Sequence, residues 1–270
     1  LLPESEYLNT YRWATALYFR SNFRIGPHAK VFDGEAVTKD RSHFADNWRV
    51  AAIFDGETNT GKTASMDMIK MYLPEFGNLS DKNQDKFMLE QCLHKGKFKP
   101  IIMGEMGPNS MGRTLFCALV DANTVIPVSR KGITDVNAVC DRQITLLCNK
   151  FSLAGGDVEG SVKSRMAMLK YQVEVPTSQV DTNIHNRNKN DPMPLVRMGN
   201  WAYEDVSSTH GHQHFAEVCP RIFLENRAQF ESKSNPLRQF LNEPFSDKHG
   251  QLVSDPDVYM LRKDLIEAFR

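Results

Sequence analysis

Residues 49–63 read Arg49-Val50-Ala51-Ala52-Ile53-Phe54-Asp55-Gly56-Glu57-Thr58-Asn59-Thr60-Gly61-Lys62-Thr63. The first part, through Phe54, is a short apolar run of the kind expected for a buried strand, and Asp55-Gly56 ends it. Gly56 to Thr63 then fits G-x-x-x-x-G-K-[ST] at every fixed position. Residues 63–73 continue as a predicted helix that Pro74 stops. Strand, turn and helix in this order have a physical reason. Glycines let the backbone fold so that successive N–H groups converge on phosphate oxygens. A helix opening at Lys62-Thr63 adds the positive end of its dipole. Gly56, Thr58, Asn59, Thr60, Gly61, Lys62 and Thr63 are therefore the candidate phosphate-binding residues. Lys62 would neutralise the β- and γ-phosphates, and the Thr63 hydroxyl would ligate Mg²⁺. The expected ligands are ATP and Mg²⁺; the alternative is a glycine-rich turn ahead of an ordinary helix.

The flanking chain predicts an α/β sheet with parallel pairs around that turn. Ile101-Ile102-Met103, Ile144-Thr145-Leu146-Leu147-Cys148 and residues 166–175 are expected strands. Residues 112–120 look helical, and residues 124–128 and 136–139 flank a basic, turn-rich centre that suggests a hairpin. Residues 4–20 carry Leu8, Tyr11, Ala14, Leu17 and Tyr18 at three- and four-residue steps, a helical face that ends before Gly26-Pro27. A second short helix is expected at residues 38–47. Residues 177–194, rich in Asn, Asp and Pro, are expected as loop or linker, and residues 215–230 and 256–270 as helical patches. The domain reading is 1–45, helical; 46–176, the nucleotide-binding core; and 177–270, a C-terminal subdomain.

Composition narrows the partners. The 270 residues hold 33 Lys+Arg and 33 Asp+Glu, so a nucleic-acid-binding surface must be a local patch rather than a general property. No apolar run approaches the ~20 residues of a membrane span. The chain opens on Leu1-Leu2-Pro3, and we read it as a piece of a longer protein. Its five cysteines are scattered without a C-x-x-C pair, which suits reduced thiols.

Three further segments separate the classes of triphosphate-binding protein. Pro100-Ile101-Ile102-Met103-Gly104-Glu105 is a strand ending in a carboxylate, which beside a phosphate loop can polarise water or hold Mg²⁺. Ile144 to Cys148 ends at Asn149, a neutral amide able to orient water near the γ-phosphate without adding charge. Asn149-Lys150 runs on into Phe151-Ser152, so the Asn-Lys-x-Asp base-recognition set of GTPases is absent. Between the two strands, Arg130-Lys131-Gly132 places cations at the predicted hairpin tip.

In this order the segments resemble the superfamily 3 helicases of small DNA viruses, with the parvovirus nonstructural replication proteins looking most similar. The resemblance spans residues 50–171 and includes Phe116-Cys117-Ala118-Leu119 and the hairpin Lys131-Gly132. It implies an AAA+-like P-loop core with a central, mainly parallel sheet, preceded by a helical oligomerisation region and followed by a helical or irregular one. It further implies an ATP hydrolase and DNA helicase working as a hexameric or similar ring on single-stranded DNA in the host nucleus. An origin-binding or nicking domain would precede it in the same chain, and translocation would run 3′ to 5′. By the same resemblance Glu105 acts in catalysis and Asn149 senses the γ-phosphate. Lys131, with Arg130 beside it, grips the nucleic acid, and Arg165 in Ser164-Arg165-Met166 is an arginine finger reaching the neighbouring subunit's ATP. The family usually carries two acids at the end of the second strand, whereas here Gly104 precedes Glu105. Either one acid suffices or another carboxylate substitutes, and weakened hydrolysis is the hypothesis this raises.

Two other classes remain open on sequence. A small-molecule or nucleotide kinase would share the phosphate loop but need neither a ring nor DNA. An ATP-binding oligomeric scaffold would assemble and scarcely hydrolyse. Residues 1–45 could likewise serve oligomerisation or pack on the core of their own subunit. His210-Gly211-His212-Gln213-His214 with Cys219 invites a metal reading, but no second ligand pair accompanies it, and a surface histidine cluster is the expectation.

Overall fold

The computed structural model describes residues 4–19, 48–71, 93, 100–107, 109–121, 124–130, 133–140, 143–154, 160–191, 193–201, 206, 209–210 and 213–234. The expected helices at 38–47 and 256–270 and the hairpin residue Lys131 lie outside them.

Four strands form one parallel sheet: β1 (Ala51–Gly56), β2 (Ile101–Met106), β5 (Ile144–Cys148) and β6 (Met166–Tyr171), in the spatial order β2-β5-β1-β6. Their apolar runs are continuous because both faces of the sheet are covered. On one face, Ile53, Ile101, Met103, Leu146 and Met168 pack with Phe116, Leu119 and Val120 of α3 (Arg113–Val120). On the other, Phe54, Ile102, Leu147, Leu169 and Tyr171 pack with α1 (Glu4–Phe19), α2 (Lys62–Lys70) and Phe223. The chain is thus an α/β protein built on a parallel sheet, as the strand runs predict.

β3 (Val125–Arg130) and β4 (Ile133–Val139) pair antiparallel as a separate hairpin, with Arg130 opposite Ile133. Ile126, Val128 and Ala138 anchor its base in the core. A short α4 (Gly160–Lys163) leads into β6.

Helix α1 is buried along Trp13, Ala14, Ala16, Leu17 and Tyr18, and Tyr11 Oη donates to Ser65 O of α2 at 3.0 Å. Residues 4–19 therefore pack on the core of their own chain. The expected apolar face is shifted, since Leu8 is 42% exposed while Trp13 and Ala16 are buried.

Two expectations need correction. Residues 177–194 are not a loop: they hold a 3₁₀ turn (Thr177–Gln179), α5 (Ile184–Asn190) and the start of α6 (Met193–Trp201). Asn186 and Asn188 lie within α5 itself, and the other turn-forming residues sit at its ends. Asn183 and Asp191 flank α5, and the Asp181 and Asp191 side chains accept the amides of Asn183 and Met193 at 2.9 and 3.3 Å. The fourth strand also stops at Tyr171 rather than Val175. Tyr171 pairs with Gly56, beyond which β1 turns into the phosphate loop and offers no further partner.

After α6 come α7 (Phe215–Val218) and α8 (Arg221–Ser234). Helix α8 covers the free edge of β6. Asn226 Nδ2 donates to Met168 O at 3.0 Å, and buried Arg227 donates to Met166 O through Nε at 3.1 Å and Nη2 at 2.5 Å. Those carbonyls would otherwise present an open edge for strand pairing. Among the described residues no helix is long and apolar enough to cross a membrane.

Candidate functional site: the carboxyl edge of the sheet

The candidate phosphate loop leaves the carboxyl end of β1 and enters α2 through Gly61, whose φ of 86° lies in the left-handed region. Asn59, at φ 62°, is also left-handed, a conformation asparagine tolerates better than most residues. Gly56 has a different reason for lacking a side chain. A Cβ there would stand 2.2 Å from Tyr171 O, so glycine is set by the close approach of β6.

Within the loop, Thr60 Oγ1 donates to Glu57 O at 2.8 Å. Lys62 Nζ folds back over the turn, donating to Gly56 O at 2.5 Å and Glu57 O at 2.6 Å. Burial pushes the Lys62 ammonium below its ordinary value, while Cys148, Asp55 and Glu57 act in the opposite direction. The third contact of Lys62 Nζ is Thr60 Oγ1 at 3.4 Å, so a desolvated cation held only by neutral oxygens gains from an incoming anion. Thr63 is exposed on the first turn of α2. The left-handed Gly61, the poised ammonium and the exposed hydroxyl suit a triphosphate with its Mg²⁺.

The pairing register brings the other candidates to the same edge. Asp55 pairs with Cys148, so Asn149 emerges from β5 beside the phosphate loop, and its side chain is exposed. β5 lies between β1 and β2, placing Glu105, the fifth residue of β2, one strand beyond Asn149 at about 10 Å from β1.

β2 carries an irregularity the sequence did not reveal. Met103 pairs with Leu146 and Met106 with Cys148, so Gly104 and Glu105 together oppose the single residue Leu147. This is a β-bulge, and it reverses the alternation: Met106 joins Ile101 and Met103 in the same core cluster. Gly104 is one of the two bulge residues.

Asp55 was also missed as more than a strand end. Its Oδ1 accepts Phe151 N–H at 2.8 Å and faces Cys148 Sγ at 3.8 Å. Burial, with Asp55 beside it, holds the Cys148 thiol far above its ordinary value. On the other side of the loop, Asn59 O accepts Val175 N–H at 2.9 Å, tying the turn to the segment after β6.

Arg165 is not at this edge. Its carbonyl accepts Ala51 N–H at 2.8 Å, at the opposite end of β1, roughly 17 Å away along five residue steps. Its Nη1 donates to Ser161 O at 2.5 Å, and Nη2 lies 3.6 Å from Asp121, which also bridges to Arg49 at 3.3 Å. Among the described residues its buried Nε has no hydrogen-bond partner. Of the hairpin cations, Arg130 ends β3, and Lys131 lies outside the described residues.

His210 and His214 have structural tasks, and His212 lies outside the described residues. His210 stacks on Trp13 with centroids 6.0 Å apart and meets Gln213 Oε1 at 2.8 Å through Nδ1; His214 accepts Ala216 N–H at the start of α7. Among the described residues no three His, Cys, Asp or Glu side chains gather as a metal site. The described cysteines, Cys117, Cys140, Cys148 and Cys219, are thiols.

No protein-family model matches the chain, and no curated protein does. Among solved structures, the A form apo structure of the NrS-1 C-terminal region is similar with a TM-score of 0.45 and 14% identity, over 87% of this chain and 52% of that one. The JCV helicase is similar with a TM-score of 0.39 and 12% identity, over 84% of this chain and 60% of that one. The chain thus spans little more than half the length of these structures.

Proposed function

We propose that this chain is the motor segment of a ring-forming superfamily 3 DNA helicase from a small DNA virus, similar to the parvovirus nonstructural replication proteins. One observation carries the reading. The phosphate loop, Glu105 and Asn149 lie on three adjacent strands at one edge of the sheet, with β5 between the other two.

In this proposal the amides of the Gly56–Thr63 turn and the start of α2 cradle the phosphates, and Lys62 leaves its carbonyls for the β- and γ-oxygens. Thr63 and Glu105 would hold Mg²⁺, which would supply neutralisation of phosphate charge. Asn149 would orient the attacking water, and Glu105 would take up its proton. Arg165, at the far edge of its own sheet, is suited to another subunit's nucleotide rather than its own, which makes turnover depend on assembly. Lys131, with Arg130, would hold single-stranded DNA inside the ring in the host nucleus. An origin-binding or nicking domain would complete the chain.

The test is ATP turnover measured against protein concentration, with and without single-stranded DNA. The expected result is specific activity that rises with concentration and rises again with DNA, more weakly as salt increases. Turnover independent of both would favour a small-molecule kinase. Concentration-dependent assembly with ATP bound and scarcely hydrolysed would favour a scaffold.

A further inference from the structure

We propose that Asp55 is a positioning residue that couples the phosphate loop to the bend carrying Asn149. This inference rests on the hydrolase reading above and goes beyond it by naming what sets the Asn149 bend. Asp55 is the last residue before Gly56, and its partner across the sheet, Cys148, is the last before Asn149. Alternation places Asp55 on the face occupied by Ile53, and Cys148 on that occupied by Leu146. The two side chains are therefore neighbours on adjacent strands.

From there the chain bends through Asn149 and Lys150, both exposed, to Phe151, which is buried against Phe116 and Phe230. The bend is fixed at one end by the pairing of Cys148 with Asp55 and at the other by the Phe151 amide. That amide donates to Asp55 Oδ1 at 2.8 Å. A single side chain at the mouth of the phosphate loop thus closes the bend whose apex holds the candidate sensor. Asp55 also lies near enough to Lys62 to bear on its charge. Motif reading missed it because the phosphate-loop pattern begins at the following glycine.

The required chemistry is an acceptor at Oδ1, not a proton or a metal ligand. Asparagine keeps that acceptor and removes the charge. Glutamate keeps the charge but moves the acceptor by one methylene, and alanine removes both. Asp55→Ala should lower kcat about 10²-fold, the scale of misplacing a reacting group by about 1 Å, a larger effect than on binding of a non-hydrolysable ATP analogue. Asp55→Asn should restore most of kcat, and Asp55→Glu less of it.

Hydrogen exchange at the Phe151 amide gives a readout independent of turnover. It should be fast in Asp55→Ala and slow in both wild type and Asp55→Asn. Asparagine as inactive as alanine would show that the charge is what matters and overturn the proposal. So would an alanine variant with wild-type kcat or wild-type Phe151 protection. If the wild-type assembled protein hydrolyses no ATP, the hydrolase reading falls, while Phe151 exchange still decides whether Asp55 holds the bend. Should Asp55→Ala not fold, the order of asparagine above glutamate in kcat still decides: the reverse order contradicts positioning.

Discussion

Replacing Arg165 by alanine is expected to reduce ATP turnover of the assembled protein by ~10³–10⁵, the range of an arginine finger supplied by a neighbour. The geometry makes this prediction sharp. Arg165 stands at the start of β6, while the candidate phosphate loop leaves the far end of β1, so a nucleotide on that loop would be out of its reach. Its charge is shared with Arg49 on the carboxylate of Asp121, and its buried Nε has no hydrogen-bond partner among the described residues. Among the described residues two guanidiniums face the Asp121 carboxylate, an arrangement that suits a phosphate presented from outside. The structural alternative is that Arg165 only fastens α3 to β6. In that case the alanine variant would melt earlier but keep its turnover per folded molecule. Mixing the variant with a Lys62→Ala variant decides between them. An arginine acting across subunits predicts recovered turnover in mixed rings, because Arg165 of one variant meets the intact phosphate loop of the other. A structural arginine predicts none.

Glu105→Gln is expected to lower turnover by ~10²–10⁴, the contribution of a positioned general base, and to leave ATP binding in place. The substitution keeps the size and removes only the negative charge. It also bears on the missing second acid. The bulge spends two residues, Gly104 and Glu105, opposite Leu147, so the end of β2 is built differently from a strand carrying two consecutive acids in regular register. Normal turnover in wild type, abolished in Glu105→Gln, would show that one acid is enough. Unchanged turnover in the variant would move the chemistry to another carboxylate.

The central architecture was legible because its signals are local. Apolar runs marked β1, β2, β5 and β6, and the glycine-lysine-threonine pattern marked the turn, since each depends on a few consecutive residues. What the sequence hid depends on register. The bulge appears only when Met103 and Met106 are paired with Leu146 and Cys148. The link from Asp55 to Phe151 joins residues far apart in the chain that the sheet makes neighbours. The helices within 177–201 were hidden for another reason. Asn183 and Asp191 are turn-forming residues wherever they stand, and only the fold decides that they flank a helix rather than fill a loop.

A calorimetric titration of Mg-ATP into the wild-type protein and into Lys62→Ala tests the central claim most directly. The desolvated ammonium on Gly56 O and Glu57 O should make binding saturable and Mg²⁺-dependent in wild type and severely weakened in the variant. Equal affinity in both proteins, or no binding to the wild type, would contradict a triphosphate site on this turn.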